Sequence, residues 1–303
     1  MERILATYRL RASRIEAPEL AEFICNEQTA EAHPSLVGDE FSRSRILGRL
    51  ESLVAAEDGA HDAGISYDPI VTSFSLPQLM HVLYGNISLR RGIRLTAVDF
   101  PDSFLGRFPG PRLGIEGIRR MTGTVDRPLL AAALKPMGLS PEALAARAYA
   151  LAAGGMDIIK DDHGLADQEF CPFEARVAAV CDALDRARDR TGRRTLYFPS
   201  LTERFDVMAR RVEWAVSRGA DGILLSPLVV GVDTMRWLAS TGPGGPALMA
   251  HPALSGVFFS DPDHGMSIQV ILGAIFRLAG ADLVIFPSHG GRFRVAREDC
   301  LAL

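Results

Sequence analysis

Lysine is almost missing from this chain. Of 33 basic residues among 303, only two are lysines, Lys135 and Lys160, and all the others are arginines. Arginine stays charged, whereas a lysine amine can lose its proton to its surroundings and act as base, nucleophile or carbamate precursor. Both lysines end an apolar stretch, Leu129 to Leu134 in one case and the strand of Met156, Ile158 and Ile159 in the other. That placement marks them as functional rather than as ordinary surface charge. Cysteine is sparse too: Cys25, Cys171, Cys181 and Cys300 show no CxxC spacing. Free thiols in a reducing cytosol are therefore expected, not disulfides or a zinc site. No run of about 18 apolar residues occurs, and Met1-Glu2-Arg3-Ile4 does not read as a signal peptide. A net charge of −4 disfavours nonspecific binding to nucleic acid or an anionic membrane, and a cytoplasmic location is expected.

The chain is 48% apolar, enough for a sizeable core. Residues 3–10 alternate as a strand, and a helix is expected from 18 to about 30, with Leu20, Phe23 and Ile24 on one face. The segment 46–55 reads equally as strand or helix. A strand is expected at 67–76, a short helix at 77–83 and another strand at 93–100. This β-α-β-β-α-β order predicts a ferredoxin-like α+β sandwich over residues 1–110. Proline, glycine and arginine then dominate a connector at 111–128.

Beyond Pro128 a rhythm sets in. Apolar strands are expected at 129–135, 156–160, 195–199, 222–226, 247–251 and 282–287. Helices fall between them at about 141–153, 173–189, 204–218, 232–239 and 266–279. Ser140-Pro141 is a helix start, with serine as cap and proline in the first turn. The turns Gly155-Met156-Asp157, Gly219-Ala220-Asp221 and Gly280-Ala281-Asp282 repeat one helix-to-strand device. Strict alternation with near-continuous apolar strands means a parallel sheet buried on both faces. The lack of a GxGxxG fingerprint after the strand ending at Lys135 favours a (β/α)8-type TIM barrel over a doubly wound sheet. Six βα units are legible over 129–303, so the barrel is expected to lack its C-terminal units.

Active sites of such barrels sit where the strands end. Those ends offer Lys135; Lys160, Asp162 and His163; Ser200; Ser226; His251; and the loop Ser288-His289-Gly290-Gly291-Arg292. Asp162 and a carbamate on Lys160 would suit magnesium, while His163 in third place would draw the site towards a softer metal. Alternatively, Asp162 and His163 merely cap the next helix. His251 has the intrinsic pKa of a general acid or base. Arg292 and the loop glycines would suit a phosphate. Asp263-His264-Gly265-Met266 reads first as a helix start, with His264 structural.

From Gly85 to Arg292 the order of motifs resembles the large subunit of RuBisCO, and especially the RuBisCO-like proteins of form IV. The motifs are Gly85-Asn86, Phe108-Pro109-Gly110-Pro111, Arg127-Pro128-Leu129-Leu130, Lys135-Pro136 with Gly138-Leu139-Ser140, Gly154 to Asp162, and His264-Gly265-Met266. The resemblance implies that Lys160 carries a CO2-derived carbamate, that Asp162 holds magnesium beside it, and that His163 stands where RuBisCO has a glutamate ligand. It implies that Lys135 handles the proton at the enolisable carbon, that His251 assists, and that Asn86 completes the partner's site in a homodimer. Ser288, His289, Gly290 and Arg292 would contact a phosphorylated substrate. No lysine follows Lys160, so the resemblance argues against CO2 fixation, which needs one in the sixth loop. What remains is enolate chemistry. One branch is isomerisation or tautomerisation of methylthio-sugar phosphates. The other, set slightly ahead, is decarboxylation or C–C cleavage of 3-oxo sugar-acid phosphates. A non-catalytic remnant is the alternative.

Overall fold

A computed structural model describes residues 2–241, 245–293 and 295–303, apart from the side chain of Pro34. Its strands are β1 (Ile4–Leu10), β2 (Arg49–Ala55), β3 (His61–Tyr67), β4 (Ile93–Asp99), β5 (Ala131–Leu134), β6 (Ile158–Asp161), β7 (Leu196–Phe198), β8 (Gly222–Leu225), β9 (Ala247–Ala250), β10 (Gly265–Met266) and β11 (Leu283–Val284). The chain divides into two compact units: Met1–Phe108 with Leu254–Leu278 and Pro287–Leu303, and Pro109–Ala253 with Ala279–Phe286. No helix among the described residues is long and apolar enough to cross a membrane.

The first unit is built on a sheet of order β10-β4-β1-β3-β2. Alternation in β1 buries Ile4, Ala6, Tyr8 and Leu10 completely. The helices Glu16–Glu27 and Leu76–Tyr84 add Leu20, Ile24, Leu79, Val82 and Leu83 to the core. The segment left open at 46–55 becomes β2, an antiparallel partner of β3. The strand expected at 67–76 is corrected: it lies at His61–Tyr67 and stops where Asp68 accepts the Ile70 N–H at 3.1 Å and Pro69 begins a 3-10 turn. Its pattern was hidden because Ala63 and Gly64 are small and both faces are buried. The helix expected at 266–279 is also shorter. Gly265–Met266 pairs in parallel with β4, and only then do the helical turns Gln269–Ile275 and Phe276–Leu278 follow.

Among the described residues the second unit holds six parallel strands in chain order. They form two ladders, β5-β6-β7 and β8-β9-β11, joined by a Ser200–Leu224 bridge, with Leu224 N–H on Pro199 O and Leu201 N–H on Leu224 O, both at 2.9 Å. Helices Pro141–Ala153, Phe173–Thr191, Phe205–Ser217 and Val232–Ala239 lie between strands in sequence. Ser140 caps the first of these by accepting the Ala143 N–H at 3.3 Å. Side chains from alternate strand positions, Ile158, Leu196, Phe198, Leu224, Ala247 and Met249, fill the interior with Leu129, Leu283 and Ile285. Leu113, Ile118 and Met121 pack against them from the segment around helix Gly114–Thr122.

The three Gly-x-Asp turns work identically. Each glycine has a positive φ, +96° at Gly155, +104° at Gly219 and +100° at Gly280, which only glycine adopts cheaply. Each aspartate then clamps the neighbouring strand through one residue. Asp157 N–H donates to Leu130 O at 3.0 Å while its carboxylate accepts Leu130 N–H at 2.8 Å. Asp221 does the same with Tyr197 at 3.1 and 2.9 Å, and Asp282 with Leu248 at 2.9 and 3.0 Å. These clamps set the strand register at the end of the sheet opposite the lysines.

Candidate active site

Two-residue periodicity decides which side chains meet. Ile158 belongs to the interior core, so Lys160, two residues on, shares its face. By the same count Lys135 follows Leu129 and His251 follows Met249. The interior is apolar up to Phe198, Leu224 and Met249 and turns polar at the next position of each strand.

Lys135 Nζ lies 3.0 Å from Asp162 Oδ1, joining the tips of β5 and β6. Asp162 Oδ1 also receives the His163 backbone N–H at 3.0 Å and faces His163 Nδ1 at 3.2 Å. Burial works against ionisation of Asp162, but the Lys135 hydrogen bond and the charges of Lys135, His163 and Lys160 outweigh it and hold the carboxyl below its usual range. Lys160 donates to Asp161 O at 3.1 Å. Burial, assisted by the nearby Lys135 charge, holds its amine below the ordinary lysine value, against the pull of Asp162 and Asp161. The His163 and His251 rings stack, with centroids 4.2 Å apart and planes 13° from parallel. His251 Nδ1 accepts the Ala253 N–H at 3.2 Å, so in the neutral ring the proton is on Nε2. Burial, then the charges of His163 and Lys160, push its pKa down to about 3. The cluster thus combines a half-exposed ammonium, an amine biased towards neutrality, a carboxylate and a neutral imidazole whose Nε2–H can donate.

On the opposite face of β6, Asp161 is fully buried. It receives Arg176 Nε at 2.9 Å, Tyr197 OH at 2.8 Å and Ser200 N–H at 3.0 Å. Arg176 also donates to Cys171 O and Ala166 O, each at 2.9 Å, and so holds the loop after β6. Burial disfavours the Arg176 charge, but Asp161 outweighs it and keeps the guanidinium protonated. Strand alternation separates Lys160 and Asp162 from Asp161; the roles of Arg176 and Tyr197 had no signal in the sequence.

The structure thus brings Lys135, Lys160, Asp162, His163 and His251 together. Asn86, Ser288, His289, Gly290 and Arg292 belong to the first unit. There Asn86 donates to Glu27 Oε1 at 3.0 Å, His289 N–H meets Cys300 Sγ at 3.2 Å, and the Arg292 guanidinium lies over the Phe293 ring at 4.8 Å. His264 Nδ1 is 3.2 Å from Tyr84 OH, which also takes the Gly265 N–H at 2.7 Å. Among the described residues no three His, Cys, Asp or Glu side chains converge to hold a metal ion. Carbamylation of Lys160 would change that donor set by adding two oxygens beside Asp162. The depressed amine fits such a reaction, because the neutral amine is the form that adds CO2.

Residues 114–293 match the family model for the catalytic domain of the ribulose bisphosphate carboxylase large chain. The chain is 37% identical over 304 residues to the 5-methylthioribulose-1-phosphate isomerase of Rhodospirillum rubrum, covering 100% of this chain and 79% of the relative. It is 37% identical over 240 residues to the 2,3-diketo-5-methylthiopentyl-1-phosphate enolase of Geobacillus kaustophilus, covering 79% of this chain and 58% of that one. The crystal structure of the RuBisCO-like protein from Rhodopseudomonas palustris superposes with a TM-score of 0.90 at 37% identity, covering 100% of this chain and 82% of that one. With that likeness the architecture is the RuBisCO large-subunit α/β fold with its barrel domain. The chain belongs to the RuBisCO large-subunit family, as one of its RuBisCO-like proteins.

Proposed function

We propose that this chain is a RuBisCO-like enzyme that moves a proton beside the carbonyl of a phosphorylated sugar, through an enolate. The Lys135–Asp162 pair beside Lys160 and the stacked histidines carries the reading: it sets proton-transfer groups and positive charge at one strand-end site. The relatives named as isomerase and enolase support proton transfer over C–C cleavage or decarboxylation, the branch that the sequence slightly favours. Lys135 takes the proton from the enolisable carbon once its own proton has passed to solvent, and Asp162 holds the amine in place. As negative charge develops on the substrate oxygen, the positive charge that Lys135 gains with the proton and the neutral His251 Nε2–H stabilise it. Magnesium would be held by Asp162, His163 and carbamylated Lys160, and when bound would supply Lewis-acid polarisation of the carbonyl.

The N-terminal sandwich reads as ferredoxin-like over 1–110, followed by a connector at 111–128 and the barrel domain. The assembly we infer is a cytoplasmic homodimer in which Asn86 serves the partner's site and Ser288, His289, Gly290 and Arg292 contact the substrate phosphate. Incubation with 5-methylthioribulose 1-phosphate and magnesium in D2O tests the chemistry. Deuterium enters at the carbon next to the carbonyl with the parent and not with Lys160→Ala; equal exchange in both, or none in either, rejects the reading. His163, standing in a carboxylate's place, favours a second reading, a non-catalytic binding protein. Calorimetric magnesium titration separates the two, since a remnant shows no bicarbonate-linked binding.

A further inference from the structure

We propose that the hydroxyls of Ser200 and Thr202 bind substrate, hydrogen-bonding a hydroxyl or carbonyl oxygen of the sugar; this rests on the sugar-phosphate reading above. Ser200 is 1% exposed, yet among the described residues its Oγ has no hydrogen-bond partner, and the buried Thr202 Oγ1, two residues on, has none either. A buried polar group is normally paired, so two neighbouring orphans ask for an explanation.

The place of Ser200 supplies one. Leu196 and Phe198 point into the interior core, and alternation puts Ser200 on the same face, one step above Phe198. Lys160 pairs in register with Phe198, so Ser200 stands beside the position of Asp162 in the polar layer. Its backbone is fixed on both sides: its N–H goes to Asp161 at 3.0 Å, and the bridge to Leu224 ties it to β8. The site therefore has a fixed, desolvated hydroxyl in the polar layer that also carries Lys160 and His251. A hydroxyl both donates and accepts, which matches a sugar hydroxyl better than a phosphate dianion, whose partners are cations and N–H groups. The sequence names Ser200 among the strand ends but gives it no chemical role and does not single out Thr202, because an orphaned hydroxyl is visible only once the neighbours are placed.

Ser200→Ala removes the orphan and leaves the ligand-free fold intact, so two signatures are expected together. Thermal stability without ligand stays at the parent value or rises, because an unpaired buried polar group is gone. Binding of 5-methylthioribulose 1-phosphate weakens about tenfold, seen as a higher KM with little change in kcat, the pattern of an interaction made equally in ground and transition states. Thr202→Val, which keeps the side-chain shape, gives the same split. Binding of inorganic phosphate alone is unaffected by either change. A lower melting temperature in both ligand-free variants, as for hydroxyls satisfied by a structural water, overturns the assignment. So does unchanged KM, or equal weakening of inorganic phosphate. A parent that neither binds nor exchanges the sugar phosphate rejects the functional reading and this ligand class together, whereas a working parent with indifferent variants rejects only the hydroxyls.

Discussion

Asp161 and Arg176 meet at 2.9 Å with neither side chain exposed to solvent. The pair lies on the back of β6 and links three things: the strand that carries Lys160, the loop that carries His163, and, through the Ser200 N–H, the tip of β7. Removing one partner leaves a buried charge without its counter-ion. Arg176→Met is expected to lower stability by about 3–5 kcal/mol in urea denaturation, and the double change Arg176→Met with Asp161→Asn to recover part of the loss.

Arg127 binds Asp157 through two hydrogen bonds, at 2.7 and 2.8 Å, and this pair, against the cost of burial, holds the carboxyl at about 2. The folded value lies below the unfolded one, so this stabilisation is present above about pH 4 and is lost as pH falls towards 2. Asp157→Asn is expected to cost about 1–3 kcal/mol at pH 7. The difference from the parent should shrink in acid melts, and a constant difference down to pH 2 contradicts the account.

His251 protonates near pH 6.5 when unfolded and at about 3 when folded. The unfolded chain thus takes up the proton first, and folding loses stability as pH falls below 6.5. In the folded protein the His251 ring signals are expected to stay flat between pH 5 and 8 by NMR. An inflection near pH 6.5 would place the ring in solvent.

Gly219 and Gly222 separate backbone strain from packing. Among the described residues a Cβ at Gly219 would come no nearer than 4.0 Å to any atom beyond its chain neighbours, so Gly219→Ala is expected to cost only the strain of φ +104°, about 1–2 kcal/mol. A Cβ at Gly222 would fall 2.2 Å from the Phe198 ring and 2.6 Å from Ala247 O. Gly222→Ala is therefore expected to be the more destabilising of the two, because the obstruction includes backbone.

Lys135→Ala is expected to slow deuterium exchange by about 10²–10⁴-fold while leaving the melting temperature within a few degrees, since the side chain is 53% exposed. Lys135→Arg should not rescue exchange, because a guanidinium does not give up its proton. Full activity in either variant removes Lys135 from the proton path.

The parts of the fold that were legible share one property: a local rule was enough. The Ser140-Pro141 helix start, the three Gly-x-Asp turns and the six apolar strands each depend on residues close in sequence, and all are found in the structure. Local patterning misleads where burial is two-sided. His61–Tyr67 has almost no exposed position to give a period, so the sequence points to a strand later than the real one. The short strand Gly265–Met266 depends on a pairing with residues 94 and 95, which no local window contains.

Composition alone singled out Lys135 and Lys160, because a rare, titratable amine among arginines is informative wherever it falls. Chain order likewise determined that Asp162, His163 and His251 would follow strands whose ends gather at one face. Which neighbours these groups would acquire was decided only by tertiary structure. The pairing of Asp162 with Lys135, the stacking of His163 on His251 and the solitude of the Ser200 hydroxyl all involve residues far apart in sequence or the absence of any partner. Charge states and orphaned groups depend on what lies within a few ångströms in space, and that distance is not written along the chain.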